Sequence, residues 1–524
     1  MYDLLVKGGR VIDGTGNPWF KADIAVDDGL IEDIGHLANG ADTVIDAEGL
    51  IVSPGFIDTH SHSDLFLLSE PEAKAKIMQG VTTEIIGQDG LGEAPITDNW
   101  IKDWRRYLSG LNGDPNIDWD WRSIGEYLEA LEKSSPSLNV ATLVGHGNIR
   151  VCTMGMENRP PDESELEAMR QKLEKSIATG ALGMSTGLIY PPCSYSQTDE
   201  LIELCRVVSE NSGVFVVHMR NEGDHLLQSI AEVVTIGDEA RVPVHISHFK
   251  SSGVRNHGKS VDALNALEEA RRKGVEATFD QYPYTAGSTF LSSLLPTWTH
   301  EGGTEVLLQR LSDAETRNRI KRELKSGGTR VTDWDKLLVT SVKTNKNKWL
   351  EGKTVRDIAA SRGRDEEDTL MDIILEEENA VAMASFTMSE SDVENIMAHP
   401  YGMVCSDGIL IGKPHPRVYG AFPRVLGRYV RNGTLRLEEA VRKMTSYPAC
   451  TFGLNRGILK PGFPADITVF DPEKILDKAT YEDPRRYPDG IHHVIINGIL
   501  TVYGGKHTRA RAGRIHRHNK NRLT

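Results

Sequence analysis

The sequence predicts an α/β protein: a (β/α)8 TIM-like barrel with a small β-sandwich domain built from both chain ends. Between about residues 55 and 455, apolar runs typical of strands alternate with helical stretches, the pattern of a parallel sheet covered by helices. The two chain ends instead contain short strand-like runs separated by turn residues, such as Asp13-Gly14 and Asp28-Gly29. Neither end can cover its own apolar face, so we expect the two ends to pair.

Eight apolar runs are candidates for the barrel strands. In chain order they span residues 56–62, 81–87, 140–146, 182–188, 214–220, 242–248, 276–282 and 403–407. Helical stretches lie between successive strands, for example at 162–179, 196–212 and 260–273. Eight such units complete a barrel, and functional residues of this fold lie at the carboxyl ends of its strands.

This arrangement divides the chain into four parts. Residues 1–54 and 456–505 form the two halves of the β-sandwich, residues 55–455 form the barrel, and residues 506–524 form a basic tail. The connection after the seventh strand is too long for one helix, which predicts an insertion at about 286–345. The tail has seven Lys and Arg residues and no acidic residue. We expect it to be solvated or to contact another subunit rather than nucleic acid.

Composition excludes several classes of function. The net charge of −15 argues against nucleic-acid binding. No apolar run reaches the roughly 18 residues that a membrane-spanning helix requires. The five cysteines form no CxxC pair, and the N-terminus lacks a basic segment followed by an apolar one. We therefore expect a cytoplasmic protein that acts on a small molecule, with no membrane or nucleic-acid partner; assembly into a homo-oligomer stays open.

Ligand-type residues lie at or just past the ends of five predicted strands. Alternation along the first strand places two histidines, two residues apart, on one face. The candidate metal ligands are His60, His62, Asp89, His218, His248 and Asp407. Six ligands exceed the need of one zinc and suit two metals that share a bridging ligand. Asp407 is also the candidate catalytic group, since a carboxylate there can take a proton from the attacking water and deliver it to a leaving amine.

Some of these residues also have structural interpretations. His218 or His248 alone could be a hydrogen-bonded core histidine, and Asp407 could simply form a turn within Ser-Asp-Gly. His146 could donate a hydrogen bond to substrate or be structural. His245 precedes His248 by three residues, so alternation points it to the opposite face and leaves it out of the metal site.

Several longer motifs extend this pattern over almost the whole chain. They are GGRVIDGTG at 8–16, PGFIDTHSH at 54–62, HMRNEGD at 218–224, ISHFK at 246–250, YPYTAGST at 282–289, SDG at 406–408, HPR at 415–417 and PGFPAD at 461–466. With these motifs the chain resembles the D-aminoacylase (N-acyl-D-amino-acid deacylase) family of the amidohydrolase superfamily.

The resemblance implies a role for each matching residue. His60, His62 and Asp407 correspond to ligands of a more exposed metal, and His218 and His248 to ligands of a more buried zinc. Asp407 corresponds to the general base and acid. The residues implied in substrate binding are Lys250, which would receive the α-carboxylate, and Tyr190, Tyr282, Tyr284 and Ser288.

One position departs from the family pattern. Many members carry cysteine in Gly-Asn-Cys-Gly after the second strand, where this chain has Gly87-Gln88-Asp89-Gly90. Carboxylate is a harder ligand than thiolate, so one or two ions of zinc, cobalt or manganese all stay compatible with the site.

The function that follows is metal-dependent hydrolysis of N-acyl-D-amino acids to a carboxylate and a free D-amino acid. The alternatives are a cyclic-amide hydrolase of the dihydropyrimidinase or hydantoinase type, a dipeptidase for D-residues, and a catalytically silent barrel scaffold. The fourth strand carries no lysine that could be carboxylated, and Lys250 is present, which both count against the cyclic-amide reaction. A silent scaffold should have lost several ligands, whereas only one position is altered here.

Overall fold

The structure, a computed structural model, describes residues 1–326 and 333–519. Its strands are β1 (Tyr2–Val11), β2 (Phe20–Asp27), β3 (Leu30–Gly35), β4 (Ala41–Asp46), β5 (Ile51–Pro54), β6 (Phe56–Asp58), β7 (Val81–Ile86), β8 (Asn139–Thr142), β9 (Val144–Gly145), β10 (Gly183–Gly187), β11 (Val214–His218), β12 (Val244–Ile246), β13 (Ala277–Gln281), β14 (Ala286–Phe290), β15 (Leu337–Val342), β16 (Val381–Phe386), β17 (Gly402–Val404), β18 (Ile467–Phe470), β19 (Ile491–Ile496), β20 (Ile499–Tyr503) and β21 (Lys506–His507).

The α-helices lie mainly between the strands of the central part of the chain. They are α1 (Phe66–Ser69), α2 (Lys74–Ile77), α3 (Ile101–Asn112), α4 (Ile124–Ser134), α5 (His146–Met154), α6 (Glu163–Ala178), α7 (Thr198–Glu210), α8 (Leu226–Ala240), α9 (Ser260–Arg272), α10 (Thr304–Ser312), α11 (Ala314–Lys325), α12 (Val355–Arg362), α13 (Glu366–Glu376), α14 (Glu390–Ala398), α15 (Arg417–Arg424), α16 (Leu437–Met444) and α17 (Ser446–Thr451). Within the described ranges, every helix is too short or too polar to traverse a lipid bilayer.

Parallel strands follow one another through the centre of the molecule. Strand β6 pairs with β7 and β7 with β8; after a one-residue break, β9 pairs with β10, followed by β11, β12, β13 and β17. A parallel bridge between Ser61 and Gly408 joins the segments that follow β6 and β17, the first and last of the series. Each of the eight predicted strand runs overlaps one of these segments.

The central strands are buried almost throughout, as β-branched runs such as Val214–His218 predict. Helices α6, α7 and α9 begin and end within two residues of the predicted helical stretches. Helix α6 starts with a capping box, in which Asp162 accepts from the backbone N–H of Glu165 and the Glu165 side chain accepts from that of Asp162. These local signals explain why this part of the fold is readable from the sequence.

Both chain ends enter one nine-stranded sheet, as the sequence predicts. Its order is β21-β20-β19-β18-β5-β1-β2-β3, with β4 paired to β1. The two ends meet where β5 pairs antiparallel with β18, from Ile51 opposite Phe470 to Pro54 opposite Ile467. Apolar side chains from both ends share one buried cluster, which includes Val6, Ile467 and Ile495.

The segment between β13 and β17 forms a unit with its own core. Strands β14, β16 and β15 make an antiparallel sheet in that order, and helices α10 to α13 bury residues such as Leu307 and Ile358 against it. The insertion predicted to end near residue 345 extends further, because β16 (Val381–Phe386) is the central strand of this sheet. Helix α14 then leads back to β17.

The described part of the basic tail packs along its own chain, and its Lys and Arg side chains are exposed. Ile515 forms a parallel bridge with Val140 at the start of the third parallel strand. The His518 backbone N–H donates to the Gly180 carbonyl (2.9 Å), and Arg517 pairs with Glu132 (3.0 Å). Residues 520–524 lie outside the described ranges.

A buried lysine ties the first parallel strand to the last. Lys76 Nζ lies 2.6 Å from Asp58 Oδ2 in β6, 2.6 Å from Ser406 Oγ after β17 and 2.8 Å from Ser61 Oγ. The Ser406 N–H also donates to Asp58 Oδ1 (2.8 Å). Burial lowers the pKa of Lys76, but the carboxylates of Asp58 and Glu84 outweigh that effect and raise it above its usual value. The lysine is therefore charged within the protein.

We predict that Lys76→Met destabilises the protein strongly, because it leaves two buried carboxylates without their cation. Removing one partner of a buried ion pair typically costs about 3–5 kcal/mol, and urea unfolding of the variant measures the loss. Lys74→Met in the same helix is the matched control, since the Lys74 side chain is 42% exposed in its pair with Glu72 and should change stability little. Equal midpoints for the two variants would contradict the role given to Lys76.

Candidate metal centre

The six predicted ligands meet at the carboxyl ends of the parallel strands. Each comes from the end of a strand or the residues just after it, and each is at most 6% exposed. His60 and His62 follow β6, and the others are Asp89 after β7, His218 at the end of β11, His248 after β12 and Asp407 after β17. The six side chains named from the sequence therefore lie together at one end of the parallel strands.

The Asp89 carboxylate lies in the middle of four imidazoles. Its Oδ1 is 3.6 Å from both His60 Nε2 and His248 Nε2. Its Oδ2 is 3.7 Å from His62 Nε2 and 3.8 Å from His218 Nδ1. Each oxygen thus faces one histidine of the first strand and one from strands β11 and β12. The Asp89 carboxylate is therefore central to the whole histidine cluster.

The donor atoms fit a divalent metal. Both ring nitrogens of His60 and of His218, and Oδ1 of Asp89, are buried without a hydrogen-bond partner among the described residues. Buried polar atoms normally have partners, so these atoms point to an ion that binds them. Burial lowers the pKa of His218 to about 4, which keeps its imidazole in the neutral form that metals require. Imidazole nitrogen and carboxylate oxygen are the donor types that zinc takes.

Three overlapping groups of residues could each hold an ion. They are His60, Asp89 and His248; His60, His62 and Asp407; and His218, Glu222 and His248. The ligand atoms within each group lie within 4.8 Å of one another. The sequence prediction missed Glu222 as a candidate ligand, although it follows His218 by four residues within the HMRNEGD motif.

Asp407 has a cation of its own. Its Oδ1 is 3.3 Å from His62 Nε2, and its Oδ2 is 2.9 Å from Arg417 NH1. Burial raises the pKa of Asp407, but the Arg417 guanidinium, followed by the neighbouring histidines, lowers it well below its usual range. The carboxylate is therefore ionised. Arg417 belongs to the HPR motif, but the sequence alone assigned it no role.

Three of the six candidate ligands have left-handed backbone conformations. The φ angles are 58° at Asp89, 35° at His248 and 48° at Asp407. Positive φ is uncommon for residues other than glycine and costs conformational energy. Its concentration at these strand ends is the backbone signature of a functional site.

The structure explains the missing lysine in the fourth strand. Gly187 ends β10, and a Cβ atom there would lie 2.5 Å from the Asp89 carbonyl oxygen. The segment carrying Asp89 therefore occupies the space that a side chain at the end of this strand would need. This close contact accounts for the Gly-rich GMSTG sequence of 183–187.

Lys250 already has hydrogen-bond partners within the protein, which the sequence did not predict. Its Nζ is 2.5 Å from Glu222 Oε1 and 2.7 Å from His248 Nδ1. Burial raises the pKa of Glu222, but Lys250 and the adjacent histidines lower it below its usual value. Lys250 and Glu222 thus form a charged pair beside the ligands, and both line the cavity above them.

The other residues predicted to bind substrate divide into two sets. Tyr190, Tyr282 and Ser288 line the same cavity, and the Tyr282 hydroxyl is buried without a hydrogen-bond partner among the described residues. Tyr284 does not line it. The Tyr284 ring packs edge-on against His415 (5.2 Å between ring centres) and lies under Arg424 (4.6 Å from the ring centre), so it supports the wall from behind.

The two other histidines that end or precede the end of predicted strands, His146 and His245, have structural roles. His146 Nδ1 is hydrogen-bonded to Thr186 (2.9 Å) and its Nε2 to Glu200 (2.8 Å), which decides between its two interpretations. His245 is likewise held by the Thr278 hydroxyl (2.8 Å) and Asp280 (3.0 Å). The prediction that it lies on the opposite face is wrong, because His245 pairs with Val216, which alternation places on the same strand face as His218.

Comparisons with known proteins show the family of the chain. A model of the amidohydrolase family matches residues 43–502. D-aminoacylase of Alcaligenes xylosoxydans xylosoxydans is 36% identical, over 98% of this chain and 97% of its own. N-acyl-D-aspartate deacylase of the same organism is 34% identical, over 97% of this chain and 93% of its own.

A solved structure is similar to this chain over an equally large part of its length. It is N-acyl-D-glutamate deacylase from Bordetella bronchiseptica, complexed with zinc and a phosphonate inhibitor that mimics the tetrahedral intermediate. It has a TM-score of 0.86 at 34% identity and covers 99% of this chain and 100% of its own. The protein therefore belongs to the amidohydrolase family.

Proposed function

We propose that the protein is a metal-dependent hydrolase that cleaves N-acyl-D-amino acids into a carboxylate and a free D-amino acid. The observation that carries this proposal is the Asp89 carboxylate among four imidazoles at the strand ends. The full-length similarity to D-aminoacylase supports the choice of substrate.

The proposal includes the architecture and the setting. We infer that the parallel strands close into a (β/α)8 barrel over 55–455, and the Ser61–Gly408 bridge supports the closure. Residues 1–54 and 456–505 are its β-sandwich, and the insertion is extended to Phe386. A cytoplasmic location fits five unpaired cysteines, of which three are buried.

The residues would hold the metal in two neighbouring positions. His60, His62 and Asp407 converge on one, and His218 and His248 on the other, with Asp89 between them. When bound, zinc lowers the pKa of water and polarises a carbonyl group.

Asp407 is the proton carrier of the proposed reaction. Its ionised carboxylate accepts a proton from the water that attacks the amide carbonyl carbon, and then delivers it to the departing amine as the C–N bond breaks. Arg417 fixes Oδ2 by its ion pair, which leaves Oδ1 facing His62 and the cavity. The orientation of this carboxylate therefore does not depend on substrate.

Lys250 and Tyr282 are the proposed anchor for the α-carboxylate of the substrate. Both line the cavity, Lys250 Nζ lies 5.8 Å from the centre of the Tyr282 ring, and the Tyr282 hydroxyl has a hydrogen bond to give. A charge-assisted hydrogen bond from an ammonium is stronger than a neutral one. Glu222 shares the ammonium and keeps it oriented toward the ligands.

The alternatives have less support. A cyclic-amide hydrolase with a lysine-derived bridge would need a lysine in the fourth strand, and the GMSTG sequence of β10 has none. A silent scaffold has no use for an intact cluster of buried donors with strained backbone. A dipeptidase for D-residues shares the chemistry and differs only in the size of the leaving amine.

The proposed function is tested by assaying N-acetyl-D- and N-acetyl-L-amino acids with zinc, cobalt or manganese added. We expect release of the free D-amino acid, and loss of both turnover and bound metal in His218→Ala, because that change removes a donor from the metal. His36→Ala, an exposed histidine of the terminal sheet, is the control and should behave as wild type. Hydrolysis of hydantoins but of no acyl amino acid would favour the cyclic-amide alternative instead.

A second prediction concerns Asp407→Asn. The amide keeps an oxygen donor but cannot accept a proton, so kcat should fall by at least about 100-fold, the lower end of general acid–base contributions. Metal analysis of the same preparation should show that His218 and His248 still retain an ion. Turnover within a few-fold of wild type would remove Asp407 from the mechanism.

A third prediction concerns Lys250→Met. If Lys250 binds the α-carboxylate, the variant should lose about 2–5 kcal/mol of binding for N-acyl-D-amino acids, as for truncating one side of a buried charged pair. The matching N-acyl-D-amino acid amides lack that charge and should lose far less, which a comparison of KM values measures. Equal losses for acids and amides would mean that Lys250 serves only to neutralise Glu222.

A further inference from the structure

We propose that the cavity accepts substrates with one carboxylate and excludes those with two. The substrates are then N-acyl-D-amino acids with uncharged side chains, and derivatives of D-aspartate and D-glutamate are rejected. This inference rests on the proposed function and narrows it to a substrate class.

The first observation is the count of cations that reach the cavity. Among the described residues that line it, Lys250 is the one positively charged side chain, and it stands against the carboxylates of Asp89, Glu222 and Asp407. The Arg417 guanidinium is fully buried beneath the lining, where it pairs with Asp407 and donates to the Ser288 carbonyl (3.0 Å). Lys250 already pairs with Glu222, so the lining offers one shared ammonium for the α-carboxylate and no cation for a second carboxylate.

The second observation is the apolar wall. Leu111 of α3, Ile189 after β10, Leu294 and Met383 line the cavity, and the last two come from the insertion. Three separate segments thus place aliphatic side chains on the same space. A carboxylate buried against such a wall loses its hydration and gains no counter-charge.

The hydroxyl groups of the lining do not replace a cation. Ser288 donates to the Met383 carbonyl (2.8 Å), Thr289 is hydrogen-bonded to Tyr190 (2.9 Å), and Ser252 donates to Thr387 (2.9 Å). These groups are already engaged within the protein. Ser293, whose Oγ is buried without a partner among the described residues, can give one neutral hydrogen bond. An uncharged polar group such as an amide suits that hydroxyl better than a second carboxylate.

The test compares two substrates of the same shape, N-acetyl-D-glutamine and N-acetyl-D-glutamate, with N-acetyl-D-leucine as the apolar reference. We expect kcat/KM for the glutamine derivative to exceed that for the glutamate derivative by at least about 100-fold, since a buried charge without a partner costs this much or more. Equal or faster hydrolysis of the glutamate derivative would overturn the inference while leaving the proposed function intact. Hydrolysis of none of the three would overturn both.

A charge placed in the wall gives an independent readout. Ser293 lines the cavity, so Ser293→Lys places an ammonium in its wall, and Ser293→Met has nearly the same length without the charge. Ser293→Lys should raise the glutamate-to-glutamine ratio of kcat/KM by at least about tenfold, and Ser293→Met should leave the ratio near that of wild type. The same change in both variants would show that charge does not govern the selection.

Discussion

The site depends on how its three carboxylates, Asp89, Glu222 and Asp407, are neutralised. Asp407 pairs with Arg417 at 2.9 Å and Glu222 with Lys250 at 2.5 Å, so each has a cation of its own. Asp89 has none and faces four imidazoles instead. A buried charge without compensation is costly, so the negative charge of Asp89 and the unpartnered donors around it together create the demand for a divalent ion. Because Asp407 and Glu222 are already paired, the uncompensated negative charge lies at Asp89, in the centre of the cluster.

Holding these groups together costs backbone energy, which the surrounding fold supplies. Asp89, His248 and Asp407 keep positive φ angles only because the neighbouring chain leaves them no alternative. Gly187 lets the Asp89 segment approach β10, and Lys76 holds the residues beside His60 and Asp407 through the hydroxyls of Ser61 and Ser406. The strand ends thus form a rigid frame that fixes the positions of the metal-binding side chains before a metal ion binds.

The parts of this structure that the sequence predicts are those with local causes. Alternation along a strand places His60 and His62 on one face, and parallel order brings His218, His248 and Asp407 to one edge. The insertion boundary and the tail have non-local causes: β16 joins β14 from almost a hundred residues away, and Ile515 pairs with Val140. The Lys250–Glu222 pair also has a non-local cause, because no local sequence pattern predicts which of several nearby carboxylates pairs with an ammonium. Tyr284 was predicted to bind substrate, but its ring lies outside the cavity because it packs against Arg424 and His415, which are distant in the sequence.

Asp89 also changes the character of the site relative to the cysteine that the family resemblance leads one to expect. A thiolate bridges through one sulfur, whereas this carboxylate presents Oδ1 to His60 and His248 and Oδ2 to His62 and His218. A carboxylate at this position would offer a metal two separate donor atoms, where a thiolate would offer one. Oxygen is also the harder donor, which reduces the preference for zinc over cobalt or manganese that a sulfur ligand creates. The substitution thus keeps a negatively charged donor at this position and changes the donor atom from sulfur to oxygen.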